Sequence, residues 1–238
     1  MRTATATLTH ATSPLSSALF PRIDAVGAWI APVALRALLA WEFVESGLEK
    51  FNGENWFAEL GDKFPWPFSL FGADASWFAA TWLELIGGLA LLIGLGTRWF
   101  AFALWVLTVV AIYTVHWPEH WSSLAELWQG YAISDQGHGN YKLPLIYLAM
   151  LLPLILGGGG RFSLDHLIAR SFQGFSLRNA ADADACTWAL VALGFGLPSA
   201  LLLPWFGGAL IALAAALALA AQWRRVRLPR NAVVAAHA

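Results

Sequence analysis

The chain has 238 residues, 58% hydrophobic and 12% charged, with 14 Trp and 15 Phe; a soluble domain carries roughly 25% charged residues. With a mean hydropathy of +0.59, too little polar surface is left to cover a soluble fold, which points to a protein integral to a bilayer. A net charge of −1 excludes nucleic-acid binding as the main activity, and the single cysteine, Cys186, excludes an internal disulfide, a Cys-ligated cluster or a four-Cys zinc site.

In chain order, residues 1–26 read as a Thr-, Ala- and Ser-rich tail without the basic start and apolar run of a secretory signal, so the first spanning helix directs insertion. Apolar stretches of spanning length, about 17 to 25 residues, fall at Ala28–Lys50, Trp77–Leu95 and Trp99–Trp117, with a shorter one at Leu143–Gly157. After the Gly157–Gly160 run comes a short amphipathic helix, Leu164–Phe172, and residues 171–186 form a linker. Residues 187–223 read as a hairpin turning at Pro204, followed by a basic tail over 224–238. The expected fold is all-α: a polytopic four-helix membrane bundle over 27–170 plus a C-terminal two-helix transmembrane hairpin.

Lys and Arg are retained on the cytoplasmic side of a membrane. With the N-terminus inside, ten of them (Arg2, Arg22, Arg98, Arg161, Arg170, Arg178, Arg224, Arg225, Arg227 and Arg230) fall in inner segments, and only Lys50, Lys63 and Lys142 in outer ones. Both termini are therefore expected in the cytoplasm. The two long outer loops are acidic and rich in Trp, with Trp56, Trp66, Trp121 and Trp128 read as an interfacial belt rather than a binding cage.

Ionisable groups inside spanning segments cost several kcal/mol to insert, which makes each a candidate for function. The first helix carries Arg36, Glu42, Glu45 and Glu49; at about 100° per residue the three Glu share an arc of about 60°, and Arg36 lies roughly opposite Glu45. Arg36 can snorkel to the inner surface or contact a cofactor. In the second helix Glu84 lies on a stripe with Thr81, Gly87 and Gly88 that permits close packing. The third ends in Tyr113 and His116, three apart and so on one face. Glu45, Glu84, His116 and Lys50 thus fall in the outer half, suited either to proton exchange with the outer compartment or to a structural hydrogen-bond network. His116, His120 and His138 are candidate metal ligands by proximity in sequence, but Pro118 breaks the helical geometry between the first two, and we assign no metal site.

The stretches LRALLAWEFVESGLEKF (Leu35–Phe51), WLELIGGLALLIGLGTR (Trp82–Arg98), AIYTVH (Ala111–His116) and KLPLIYLAMLLPLILGGGGRFSLDHL (Lys142–Leu167) resemble the DoxX family of small four-helix membrane proteins over roughly residues 33–170. The outer-loop text GYAISDQGHGNYKLPLIYLAMLLPL is similar to the HvfX type, associated with maturation of copper-binding peptides. The matched polar positions are Gly47, Lys50, Glu84, Gly88, Arg98, His116, Arg161 and Asp165.

The resemblance implies a bacterial inner-membrane component of a quinone-linked redox system. In that reading Glu84 and Glu45 exchange protons, His116 or Tyr113 hydrogen-bonds a quinone oxygen, and Lys50 stabilises the developing oxyanion. The sequence has no haem, flavin or nucleotide motif, so the electrons come from a separate redox partner protein; a homo-oligomer is open. The rival reading is a non-enzymatic membrane anchor or accessory for a partner enzyme or a peptide-maturation system.

Overall fold

A computed structural model describes residues 14–171 and 184–235, and among these every regular element is helical. The helices are α1 (Pro14–Asn52), α2 (Gly72–Ile93), α3 (Thr97–Ala111, continued by a π turn over Ile112–His116), α4 (Leu124–Gln129), α5 (Lys142–Gly157), α6 (Leu164–Ser171), α7 (Ala185–Leu202) and α8 (Pro204–Ala235). Five segments are long and apolar enough to cross a membrane: Ile23–Asn52, Gly72–Ile93, Thr97–His116, Ala185–Leu202 and Pro204–Trp223. The chain is an all-α, multi-span membrane protein.

Two helices overrun the limits expected of them. α1 begins at Pro14, inside the expected tail 1–26, and α8 continues through the basic stretch to Ala235. Hydropathy marks where a helix leaves the lipid, whereas a helix ends only where capping or a breaker stops the backbone. Of the linker 171–186, residues 172–183 lie outside the described residues, as does Phe172 of the expected amphipathic helix. α7 is capped by Asp184, whose carboxylate accepts from Thr187 N at 2.7 Å.

α1 packs on α2, α2 on α3, α3 on α5 and α5 on α1. Glycine sets the α1–α2 distance: an added Cβ at Gly47 would lie 2.8 Å from Leu85, and one at Gly88 2.8 Å from Val44. In lipid this van der Waals contact, rather than a hydrophobic gain, holds helices together. Leu39, Leu91, Leu104, Ile112, Leu151 and Leu154 fill the centre and are fully buried. α7 and α8 pack on each other, and α7 touches α3 through Phe195, 5.0 Å from the ring of Trp105.

The end of the bundle at the α2–α3 turn is closed by a polar cluster. Gly94 ends α2 with φ 71° and Gly96 opens α3 with φ 55°, conformations that glycine adopts without strain. Asp165 then accepts from Gly96 N at 2.6 Å and Thr97 N at 2.9 Å, capping α3 from a distant part of the chain. Arg36 does not snorkel. It is 3% exposed, donates to the carbonyls of Pro32 and Phe162, and packs against the Gly94 turn. The G-R-x-S-L-D segment lies where α1 would otherwise open to the surface, so the guanidinium finds carbonyls inside the protein.

Candidate functional site

At the other end, a cavity of about 480 Å³ lies among α1, α2, α3 and α5, under a roof formed by the segment between α1 and α2. Two short 3₁₀ turns, Trp56–Lys63 and Phe68–Leu70, make that roof. Asn55 caps the first by accepting from Phe57 N at 3.0 Å. Phe57 is buried beneath it, edge-on to Trp77 with ring centres 5.0 Å apart. Lys63 reaches across to Glu119 at 2.7 Å, tying the roof to the segment after α3. That hydrogen bond holds the Glu119 carboxyl below its ordinary range. Trp56 lines the cavity while still 39% exposed, and Trp66 and Trp128 are more exposed.

The wall is apolar apart from three polar groupings. In the first, Lys50 Nζ donates to Glu84 Oε2 at 2.9 Å, Glu84 Oε1 at 3.1 Å and Ser46 Oγ at 2.8 Å. The pair is largely buried, with side chains 16% and 10% exposed. Ser46 and Lys50 are one helical turn apart, so α1 presents both to the Glu84 carboxylate. In the second, Tyr147 of α5 donates a very short hydrogen bond to Glu42 Oε2. In the third, His116 Nδ1 lies 2.8 Å from Asn140 Oδ1, while Asn140 N donates to the His116 carbonyl at 3.1 Å. With Asn140 Oδ1 as acceptor, Nδ1 carries the proton of the neutral ring and Nε2 keeps its lone pair.

Of the residues singled out from the sequence, Lys50, Glu84 and His116 all line this cavity. Glu45 and Tyr113 do not. Glu45 is exposed on the outer face of α1 between Trp41 and Leu48. The reason is rotational: Arg36 is buried, and Glu45 lies opposite it on the helix. Glu42 takes the place expected for Glu45. The signal was the i, i+4, i+8 series Glu42, Ser46, Lys50, which puts Glu42 and not Glu45 on the lysine's face. Tyr113 is 39% exposed and points away from the cavity. The π turn at Ile112–His116 widens the helix end and separates it from His116, and Tyr147 supplies the cavity's phenol instead. Asn140 carried no signal in the sequence beyond its place in a long loop.

Chemically, the site is an apolar chamber holding a cation, two carboxyl groups, a phenol and an imidazole. Among the described residues no group of three or more His, Cys, Asp or Glu is arranged to hold a metal ion. The volume lies in the range of ligand sites, and Lys50 offers a donor in a mostly apolar wall.

The chain is similar to known membrane proteins. The family model described as DoxX matches residues 31–117, which include Lys50, Glu84 and His116. An uncharacterized protein of Haemophilus influenzae is 44% identical over 151 residues, 63% of this chain and 91% of that protein. No solved structure matches the chain.

Proposed function

Since the chain belongs to the DoxX family of membrane proteins, we propose that it is the membrane component of a quinone-linked redox system, with the chamber between α1, α2, α3 and α5 as its quinone site. The observation that carries this is the Lys50–Glu84–Ser46 grouping, held at hydrogen-bond distances on the wall of an apolar cavity. A quinone supplies two-electron chemistry there and takes up two protons on reduction. Lys50 would donate to a ring oxygen of a bound quinone and stabilise negative charge there, and Glu84, paired with it at 2.9 Å, would relay to the lysine a proton first taken up from outside the chamber. His116, its ring oriented by Asn140, would meet the second oxygen in the reduced form, accepting through Nε2 from the hydroxyl it then carries. Glu42, hydrogen-bonded to Tyr147, takes the proton-exchanging role expected of Glu45. The electrons come from a partner redox protein.

In this reading residues 27–170 form a four-helix membrane domain and 187–223 a two-helix appendage, joined by the linker 171–186. The protein lies in the bacterial inner membrane with both termini, the tail 1–26 and the basic stretch 224–238, in the cytoplasm. That orientation follows from ten inner against three outer basic residues. The chamber then opens in the outer half of the bilayer.

The test is quinone content and short-chain quinone binding of the purified protein, wild type beside Glu84→Gln and His116→Ala. Wild-type binding that falls at least tenfold in both folded variants supports the reading. A folded wild type that carries and binds no quinone overturns it, and the accessory or anchor role for a partner enzyme or peptide-maturation system then takes its place.

A further inference from the structure

The chamber reaches the flank of the protein between α2 and α3. α2 and α3 are joined by the tight Gly94–Gly96 turn and still touch at Gly87, where an added Cβ would lie 3.1 Å from Leu104. Beyond that level the cavity separates them. Its walls are two facing series at helical spacing of four, Ala75, Ala79 and Leu83 on α2 and Ala103, Leu107 and Ala111 on α3. Each runs about 12 Å along its helix. Ala75 and Ala79 are exposed, and Val115, one turn above Ala111, is 38% exposed. The opening therefore faces sideways, along the flank of two membrane-spanning segments.

The α1–α2 side and the end that meets water are covered. Gly47 against Leu85 and Gly88 against Val44 seal α1 to α2, leaving no room even for a methyl group. The aromatic roof and the Lys63–Glu119 tie cover the end that meets water. The polar groups of α1 line the same cavity as the open seam, so a ligand passing between α2 and α3 meets Lys50 and Glu42 with its leading end. Its trailing end stays among alanine, leucine and valine side chains.

Resting on the quinone reading above, we propose that the α2–α3 seam is a second subsite, which takes the hydrocarbon tail of a single-chain lipid-soluble ligand and admits that ligand head first from the bilayer. Lipid is as apolar as the seam, so the tail gains little affinity by moving from one to the other. What the seam controls is passage and orientation. The alanines at 75 and 79 are what keep it wide enough for a chain.

The experiment uses the full chain in lipid nanodiscs with two probes, a benzoquinone carrying a long isoprenoid tail and the same ring without a tail. Ala79→Trp and Ala75→Trp place an indole in the seam. Ile86→Trp adds the same bulk to the exposed face of α2 outside the cavity, where residue 86 is 50% exposed. With folding checked by gel filtration and thermal unfolding, the seam variants are expected to bind the tailed probe at least tenfold more weakly and the tailless probe within twofold of wild type. Ile86→Trp is expected to change neither. Equal loss of both probes would mean a collapsed chamber, and no loss of either would mean that the tail does not pass this way; both overturn the subsite while leaving the quinone site standing. A wild type that binds neither probe overturns both.

Discussion

Removing one member of the Lys50–Glu84 pair is expected to cost far more than removing both. At the 2.9 Å separation of Nζ and Oε2, unit charges in an effective dielectric of about 20 attract by about 5 to 6 kcal/mol. Taking two ions out of water costs several kcal/mol each, so the net contribution of the pair is small. A lone survivor keeps its desolvation cost and loses the attraction. Glu84→Gln, which leaves the ammonium facing an amide and Ser46, is expected to destabilise the protein by about 3 kcal/mol, and Lys50→Met by a similar amount. The double variant Lys50→Met/Glu84→Gln is expected to stay within about 1 kcal/mol of wild type, giving a coupling energy of about 5 kcal/mol. Reversible unfolding in mixed micelles measures all four corners of the cycle. Single variants within about 0.5 kcal/mol of wild type, or a double variant as unstable as the sum of the singles, would refute the reasoning: the first would mean that water reaches the pair, the second that the two charges act independently. The cycle also separates structure from chemistry. The double variant is expected to fold and yet fail to bind quinone, which a purely structural role for the pair would not produce.

Two further outcomes follow from groups outside the chamber. Asp165→Ala leaves the Gly96 and Thr97 amides without their acceptor, and thermal unfolding is expected to show a loss of about 2 kcal/mol, with Asp165→Asn losing less. At the roof, Lys63 holds the Glu119 carboxyl below its ordinary 4.5. A carboxyl whose folded value is depressed favours the folded arrangement fully above its unfolded value and loses that contribution as pH falls through the folded one. Protection of the Trp56–Lys63 amides, measured as exchange relative to the intrinsic rate at each pH, is therefore expected to fall as pH drops below about 4.5, and Glu119→Gln to abolish that step. Added salt should weaken the tie at neutral pH, because both side chains are exposed.

The sequence by itself determined the membrane class, the places of the spanning segments and three of the polar residues that line the chamber. Length of apolar run is a local property, and Pro204 and the Gly94–Gly96 pair punctuate the chain where they stand. Lys50, Glu84 and His116 stood out because a titratable group within an apolar run has no local explanation. That helix runs already at Pro14 and still at Ala235 among the described residues was not legible from hydropathy, since an α-helix does not stop at the lipid boundary. The Glu42, Ser46, Lys50 series ties Glu42 rather than Glu45 to the lysine's face, but nothing in it says that this face turns inward, and no spacing chooses Tyr147 over Tyr113. Periodicity fixes which residues share a face, but which face turns inward depends on a neighbouring helix. Here the Gly47–Leu85 and Gly88–Val44 contacts set the rotation of α1 against α2, the π turn re-aims the end of α3, and α5 brings in a tyrosine from 105 positions away to meet Glu42. Those contacts join residues far apart in the chain, and only packing in three dimensions decides them.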